Sequence, residues 1–233
     1  MKILFISLGC DKNLADSEEM LGLLTGSGHE IVDSEEDADA IVINTCCFIH
    51  DAKEESVNTI LEMAEYKKTG KCKALIVTGC MAQRYKEEIT QEIPEVDAVL
   101  GTTSYGDIVK ALNEAQAGHV FQEFRDINEL PEDSGRRVLT TGGHFGYLKI
   151  AEGCDKHCTY CIIPSLRGKF RSVPEERLLA QAEYMASQGV KELILVAQET
   201  TVYGTDLYGK KTLHILLKKL CQIKGIRWIR VLY

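Results

Sequence analysis

The sequence predicts an α/β protein in two parts, a doubly wound parallel sheet followed by a second, separate run of βα units. Three observations carry this. Short Val/Ile/Leu runs alternate with helical stretches through the first 115 residues, and again after residue 146. The runs are continuous rather than alternating, as expected of parallel strands buried on both faces. Between the two series, residues 116–145 lose the rhythm and hold polar turns and a Gly142-Gly143 pair, which suits an inter-domain connection.

In chain order, strands are expected at 2–8 (KILFISL), 40–45 (AIVINT), 73–78 (KALIVT) and 96–100 (VDAVL). A helix over 51–69 follows from Val57, Ile60, Leu61 and Ala64 at helical spacing. Asp51 with Glu54 resembles a capping box at its start, and Gly70 fits just past its end. The connection is expected to turn at Pro131-Glu132-Asp133-Ser134-Gly135 and to hold a short hairpin. A strand at 146–151 then leads into a Cys-rich loop. A helix over 174–188 follows, with Pro174 in its first turn and Gly189 after its end. A strand at 191–197, a helix at 211–222 and a strand at 226–232 complete the series. The expected domains are therefore 1–115, a connection at 116–145, and 146–233, the last ending on a bare strand and reading as unfinished.

With 233 residues, 45% of them hydrophobic, the chain can bury one large or two modest cores. No apolar run reaches the roughly 18 residues that would span a bilayer. The opening Met1-Lys2-Ile3-Leu4-Phe5-Ile6 reads as a first strand rather than a signal peptide, so a cytoplasmic location is expected. Nine cysteines, an odd number without a signal peptide, argue against a disulfide framework and for metal or redox chemistry. Charge is uneven. Residues 1–115 hold 10 Lys/Arg against 22 Asp/Glu, net −12, while residues 146–233 hold 14 against 8, net +6. The first half thus has no basic face for nucleic acid. The second half could meet an anionic partner or present an ordinary solvated basic surface.

Cys154, Cys158 and Cys161 are spaced C-x3-C-x2-C. Soft thiolates this close select an iron–sulfur cluster or zinc. A ferredoxin would supply a fourth nearby Cys, and none follows. Three ligands on a four-iron cube leave one iron open to bind substrate or cofactor. The competing site, zinc held by these three with His157, requires the adjacent His157 and Cys158 to turn onto one metal.

Cys10, Cys46 and Cys80 form a second constellation. Each directly follows an expected strand, and the separations of 36 and 34 residues are about one βα unit each. Strand carboxyl ends of a parallel sheet share one edge, where ligands bind, so three thiols converge there. Gly9 and Gly79 would let backbone approach closely. Buried small hydrophobes are the competing reading. Cys72 and Cys221 read as ordinary core or near-surface thiols, Cys47 points away from its neighbour Cys46, and His29, His50, His119, His144 and His214 show no metal spacing.

The C-x3-C-x2-C spacing with Tyr160 before the last Cys resembles the radical S-adenosylmethionine superfamily. The run Gly9-Cys10-Asp11-Lys12-Asn13-Leu14-Ala15-Asp16-Ser17-Glu18 resembles the opening of its methylthiotransferases, as do Asn44-Thr45-Cys46, Thr78-Gly79-Cys80 and Lys149–Cys154. Cys161-Ile162-Ile163-Pro164, Arg167-Gly168 and Arg171-Ser172 continue the likeness. Asp11-Lys12-Asn13-Leu14, and Val196–Thr201 with Tyr203-Gly204-Thr205-Asp206, resemble the RimO branch rather than the MiaB-like tRNA branch. Gly142-Gly143 before His144 departs from the family pattern.

The resemblance implies that the second part is an incomplete (β/α) barrel of radical S-adenosylmethionine type. It implies two 4Fe-4S clusters, one on Cys154, Cys158 and Cys161 for radical generation from S-adenosylmethionine, the other on Cys10, Cys46 and Cys80 for sulfur donation. Gln198 and Glu199, at the end of the second barrel strand, become candidates for contacting S-adenosylmethionine, although strand-end turn chemistry would equally place them there. The implied substrate is an aspartate of small-subunit ribosomal protein twelve, with an unspecified electron donor. A tRNA adenosine methylthiotransferase and a non-catalytic iron–sulfur protein are the alternatives. Members of the family continue through a full barrel and a C-terminal β-domain, so these 233 residues alone are expected to be cut short and inactive.

Overall fold

The computed structural model describes residues 1–132 and 135–233, which form two compact units, Met1–Arg137 and Val138–Tyr233. Asp133 and Ser134, in the middle of the expected polar turn, lie outside the described residues.

The first unit runs β1 (Lys2–Ser7), α1 (Asp11–Gly26), β2 (Glu30–Val32), β3 (Ala40–Thr45), α2 (His50–Thr69), β4 (Ala74–Gly79), α3 (Cys80–Tyr85), α4 (Glu87–Glu92), β5 (Ala98–Leu100), α5 (Ile108–Gln116) and β6 (Phe121–Glu123). Its six strands form one all-parallel sheet in the order β2-β1-β3-β4-β5-β6. The chain steps one way from β1 to β2, then crosses back to build β3 and onward on the other side. The carboxyl ends of β1 and β3 therefore flank the topological switch point, where a doubly wound sheet opens its ligand crevice.

Strand alternation sends Ile3, Val42, Ile76 and Leu100 to one face, where they form a core with Met20 and Leu24 of α1 and Ile108 and Leu112 of α5. Ile41, Ile43, Leu75, Val77 and Val99, equally inaccessible, occupy the alternate positions. Helix α2 packs against β3 and β4 and buries Ile60, Met63 and Ala64. Each such side chain contributes about 1.5–3 kcal/mol, so this two-faced burial is what holds the strand ends in place.

Two expectations are corrected here. Helix α2 begins at His50 with Ile49 in the capping position and no side-chain cap, so Asp51 lies inside the first turn and the capping box is not formed. The stretch 116–145 forms no hairpin among its described residues. Instead Phe121–Glu123 adds a parallel strand to β5, with Val99 opposite Gln122. Farther on, the Arg137 guanidinium donates to the Glu18 carboxylate at 2.6 Å, and both side chains are buried. The first unit thus extends past residue 115 because its last strand and this ion pair lie beyond it.

The second unit runs β7 (Phe145–Lys149), β8 (Ala151–Glu152), α6 (Ile163–Arg167), β9 (Arg171–Ser172), α7 (Glu175–Ser187), β10 (Glu192–Val196), α8 (Thr205–Tyr208), α9 (Leu213–Leu220) and β11 (Trp228–Val231). β7, β10 and β11 pair in parallel, in sequence order. Consecutive parallel strands with no switch point make an arc of (β/α)-barrel type. β8 and β9 form a small antiparallel pair beside it. No helix among the described residues is long and apolar enough to cross a membrane.

Candidate functional site

In the first unit, Cys10, Cys46 and Cys80 sit at the carboxyl edge of β1, β3 and β4, three adjacent strands spanning the switch point. Cys10 caps α1, with the Leu14 N–H donating to its carbonyl at 3.0 Å. Cys46 is held by Ser56, which accepts from its N–H at 3.1 Å and donates to its carbonyl at 2.8 Å. Cys80 opens α3. Cys46 and Cys80 are buried and Cys10 is exposed, so the triad has one open side.

Gly9 and Gly79, each directly before a cysteine, have φ of +97° and +92°, backbone that disfavours any side chain. A methyl group on Gly9 would lie 2.8 Å from Cys46 Cβ and 3.2 Å from its Sγ. The first loop therefore backs directly onto the second. Thr45 donates to the Thr78 carbonyl at 2.5 Å and ties the end of β3 to the end of β4, just before Cys46 and Cys80.

Polar side chains that the sequence motif contains, but to which it assigns no role, complete the arrangement. Asn13 Nδ2 donates to the carbonyls of Leu8 (3.1 Å) and Thr45 (2.9 Å). The Cys80 thiol lies 3.8 Å from its Oδ1. Asn44 Nδ2 donates to the Asn13 carbonyl and to Ser17 Oγ, both at 2.9 Å. Their position within three residues of Cys10 and two of Cys46 is the sequence signal for them.

In the second unit, Cys154, Cys158 and Cys161 lie on one loop between β8 and α6. Cys158 is exposed and the other two are half-buried. The Lys156 N–H donates to Cys154 Sγ at 3.4 Å, and the Cys161 N–H donates to the Cys158 carbonyl at 3.0 Å. The base of the loop is fixed from below. Gly153 has φ +73°, and a methyl there would collide with the carbonyls of Gly168 and Lys169. The Asp155 carboxylate accepts from the Phe170 N–H at 3.0 Å. Buried Glu152 is bonded by Lys149 and lies 3.4 Å from the Arg167 guanidinium. Burial opposes ionisation of Glu152, but Lys149 first and Arg167 next outweigh it and hold the carboxyl down to about 2.

Gln198 and Glu199 follow β10 at the same edge as this loop, since Val196 pairs with Lys149. Gln198 Oε1 is buried and has no hydrogen-bond partner among the described residues. Glu199 is already engaged by Lys156 from the Cys loop and by the Thr201 hydroxyl, and these bonds hold its carboxyl below the usual range.

Among the described residues, no three His, Cys, Asp or Glu side chains are gathered closely enough to hold a single metal ion. A four-iron cube is a larger object and needs wider ligand spacing. The remaining cysteines divide. Cys47 and Cys72 are buried, and burial pushes both thiols up, against the pull of Arg84 on Cys47. Cys221, at the end of α9, is exposed, the near-surface one of the two places expected for it.

A C-x3-C-x2-C loop at the carboxyl edge of a barrel-type sheet is the arrangement of a radical S-adenosylmethionine protein. Residues 148–232 match the Radical SAM superfamily, and residues 2–101 match the family described as uncharacterized protein family UPF0004. The whole chain is 65% identical to the ribosomal protein uS12 methylthiotransferase RimO of Lachnoclostridium phytofermentans and 51% identical to that of Clostridioides difficile, covering 53% and 52% of those proteins. The chain thus spans about half the length of the curated relatives it matches. Among solved structures it is similar in fold to the radical S-adenosylmethionine methyltransferase TsrM from Kitasatospora setae, with a TM-score of 0.59 at 11% identity over 97% of this chain and 54% of that one. Along its whole length the chain is similar to the RimO methylthiotransferases, with a first part matching UPF0004 and a second part matching the Radical SAM superfamily.

Proposed function

We propose that the protein carrying this chain adds a methylthio group to an aspartate of ribosomal protein uS12 in the cytoplasm, using two four-iron clusters and S-adenosylmethionine. The carrying observation is that each unit brings three candidate cysteines to the carboxyl edge of its sheet, Cys47 beside Cys46 being a buried thiol whose ionisation burial opposes. Three thiolates leave a cluster with one open position. When bound, the cluster on Cys154, Cys158 and Cys161 supplies one-electron cleavage of S-adenosylmethionine, and the cluster on Cys10, Cys46 and Cys80 supplies sulfur.

The chain's own residues fit these groups. The C-x3-C-x2-C loop offers three soft donors at an accessible surface, with a backbone N–H already directed at one sulfur. The unpaired Gln198 Oε1 is an acceptor suited to the ammonium of S-adenosylmethionine. Glu199 can take that ammonium only by exchanging Lys156. The first unit's triad offers two buried thiols and one exposed one, so the accessible thiol is Cys10.

Anaerobic reconstitution of the 233-residue chain tests the metal assignment. It should give about eight irons, and Ala at either cysteine triad should leave about half. Zinc in place of iron would remove the reading altogether. The activity test uses the whole protein with reductant, S-adenosylmethionine and small ribosomal subunits. Release of 5′-deoxyadenosine with one methylthio group gained by uS12 supports the proposal. Modification of tRNA instead would assign the protein to the other branch.

A further inference from the structure

Asn13 is completely inaccessible, yet its side chain reaches the three loops that bear Cys10, Cys46 and Cys80. Its amide nitrogen donates to the Leu8 carbonyl, two residues before Cys10, at 3.1 Å, and to the Thr45 carbonyl, directly before Cys46, at 2.9 Å. Because both partners are carbonyls, they fix which end of the amide is nitrogen. The oxygen must then point the other way, and there it meets Cys80 Sγ at 3.8 Å. Asn13 is itself held, since Asn44 and Ser17 both donate to its carbonyl, at 2.9 and 3.0 Å. The φ of +97° at Gly9 brings backbone against this amide, and a methyl there would lie 3.1 Å from Asn13 Nδ2.

The geometry points to Asn13 as the positioning residue of the first unit's cysteine triad: one amide sets the spacing of three loops from three different strands. The inference rests on the proposal that these cysteines hold a cluster. Physically it follows from the fold. A C-x3-C-x2-C loop fixes its own sulfur spacing through the chain, but three sulfurs from three strands have no such covalent link. Strand pairing alone positions backbone up to Ser7, Thr45 and Gly79, and the cysteines lie just past that point. A buried amide with two donors and one acceptor can tie the loops together at that level. Replacement by Asp keeps size and shape but removes both donors, and replacement by Ala removes all three contacts.

The test uses the full chain with Cys154, Cys158 and Cys161 changed to Ala, so that all bound iron reports on the first unit. In that background Asn13→Asp and Asn13→Ala should each lower affinity for the reconstituted cluster roughly tenfold or more, the scale of an outer-shell loss. Any cluster that remains should give an altered electron paramagnetic resonance spectrum. Thr25→Ala, which removes a hydrogen bond to the Leu21 carbonyl at the far end of the same helix and touches none of the cysteine loops, should leave iron content and spectrum unchanged. Circular dichroism and melting should show the Asn13 variants still folded. Full iron with an unchanged spectrum in both Asn13 variants would overturn the assignment. So would loss of the folded signal, which would make Asn13 a general packing residue, and so would equal iron loss in Thr25→Ala. Failure of the underlying reading is separate. It would appear as no iron in this background even with Asn13 intact.

Discussion

The two units assemble their proposed cysteine donors by opposite routes. The first assembles Cys10, Cys46 and Cys80 from three strands about 35 residues apart, then buries two of them and braces all three with Asn13, Thr45 and Ser56. The second places Cys154, Cys158 and Cys161 on one exposed loop and braces only its base, through Gly153, Asp155 and the Glu152 cage. The devices differ because the problem differs. Sulfurs far apart in sequence need tertiary structure to meet, whereas sulfurs close in sequence need only a loop with the correct exit. Both units do share one element, a glycine at positive φ immediately before a cysteine, at Gly9, Gly79 and Gly153.

The largest effect that should separate the two regions is thiol reactivity in the iron-free chain. Exposed Cys158, Cys10 and Cys221 should alkylate first, and Cys46, Cys47, Cys72 and Cys80 last. Buried thiols react only when the structure opens, so the two groups should differ by orders of magnitude. For Cys47 and Cys72 burial also pushes the thiol up and reduces the reactive thiolate. Time-resolved mass mapping reads this directly. Cys46 and Cys80 labelling as fast as Cys158 would show that the first triad is not pre-formed, and the contrast between the units would fail.

This contrast also explains what was legible. The C-x3-C-x2-C loop is readable as a string because its geometry is local. The first triad is readable only through topology, from cysteines that each follow a Val/Ile run. The switch between β1 and β3 leaves no mark in the order of residues. Helix α1 leaves no helical pattern to read because Lys12, Asn13, Asp16, Ser17, Glu18 and Glu19 are all buried beside its apolar residues, so polar and apolar side chains do not divide between two faces. Strand β6 escapes because Phe121-Gln122-Glu123 is short and mostly polar, and the neighbouring β5 is what makes it a strand. Gln198 is readable as a strand-end residue, but only the structure shows its oxygen to be buried with no partner among the described residues.

A smaller effect concerns how each region is braced. Glu152→Ala removes the carboxylate shared by buried Lys149 and Arg167 and should cost the second unit about 3–5 kcal/mol. Gly79→Ala should destabilise the first unit by about 1–3 kcal/mol, because alanine tolerates φ +92° poorly and its methyl would press on Asn44 and Thr45. Thermal melts, with hydrogen exchange assigning each loss to its unit, check both values. Loss of protection in the unmutated unit would show that the two braces are not independent.

The smallest effect belongs to Lys156, and it separates bracing from latching. Its ammonium pairs with Glu199, but the side chain is largely exposed while Glu199 is largely covered. An exposed cation in water contributes little to stability, because hydration and salt screen it and its long side chain loses entropy on pairing. Lys156→Ala should therefore leave the melting temperature of the second unit unchanged. The pair nevertheless joins the Cys loop to the residues after β10, and the backbone N–H of Lys156 donates to Cys154 Sγ. Cutting the side chain should free the loop without unfolding anything. Alkylation of Cys154 should accelerate modestly, while Cys46 and Cys80 in the other unit stay protected. Added salt should produce the same acceleration in the unmutated chain and have no further effect in the variant, since it weakens the same ion pair. A melting temperature that falls as far in Lys156→Ala as in Glu152→Ala would place Lys156 among the braces and leave the loop without a latch.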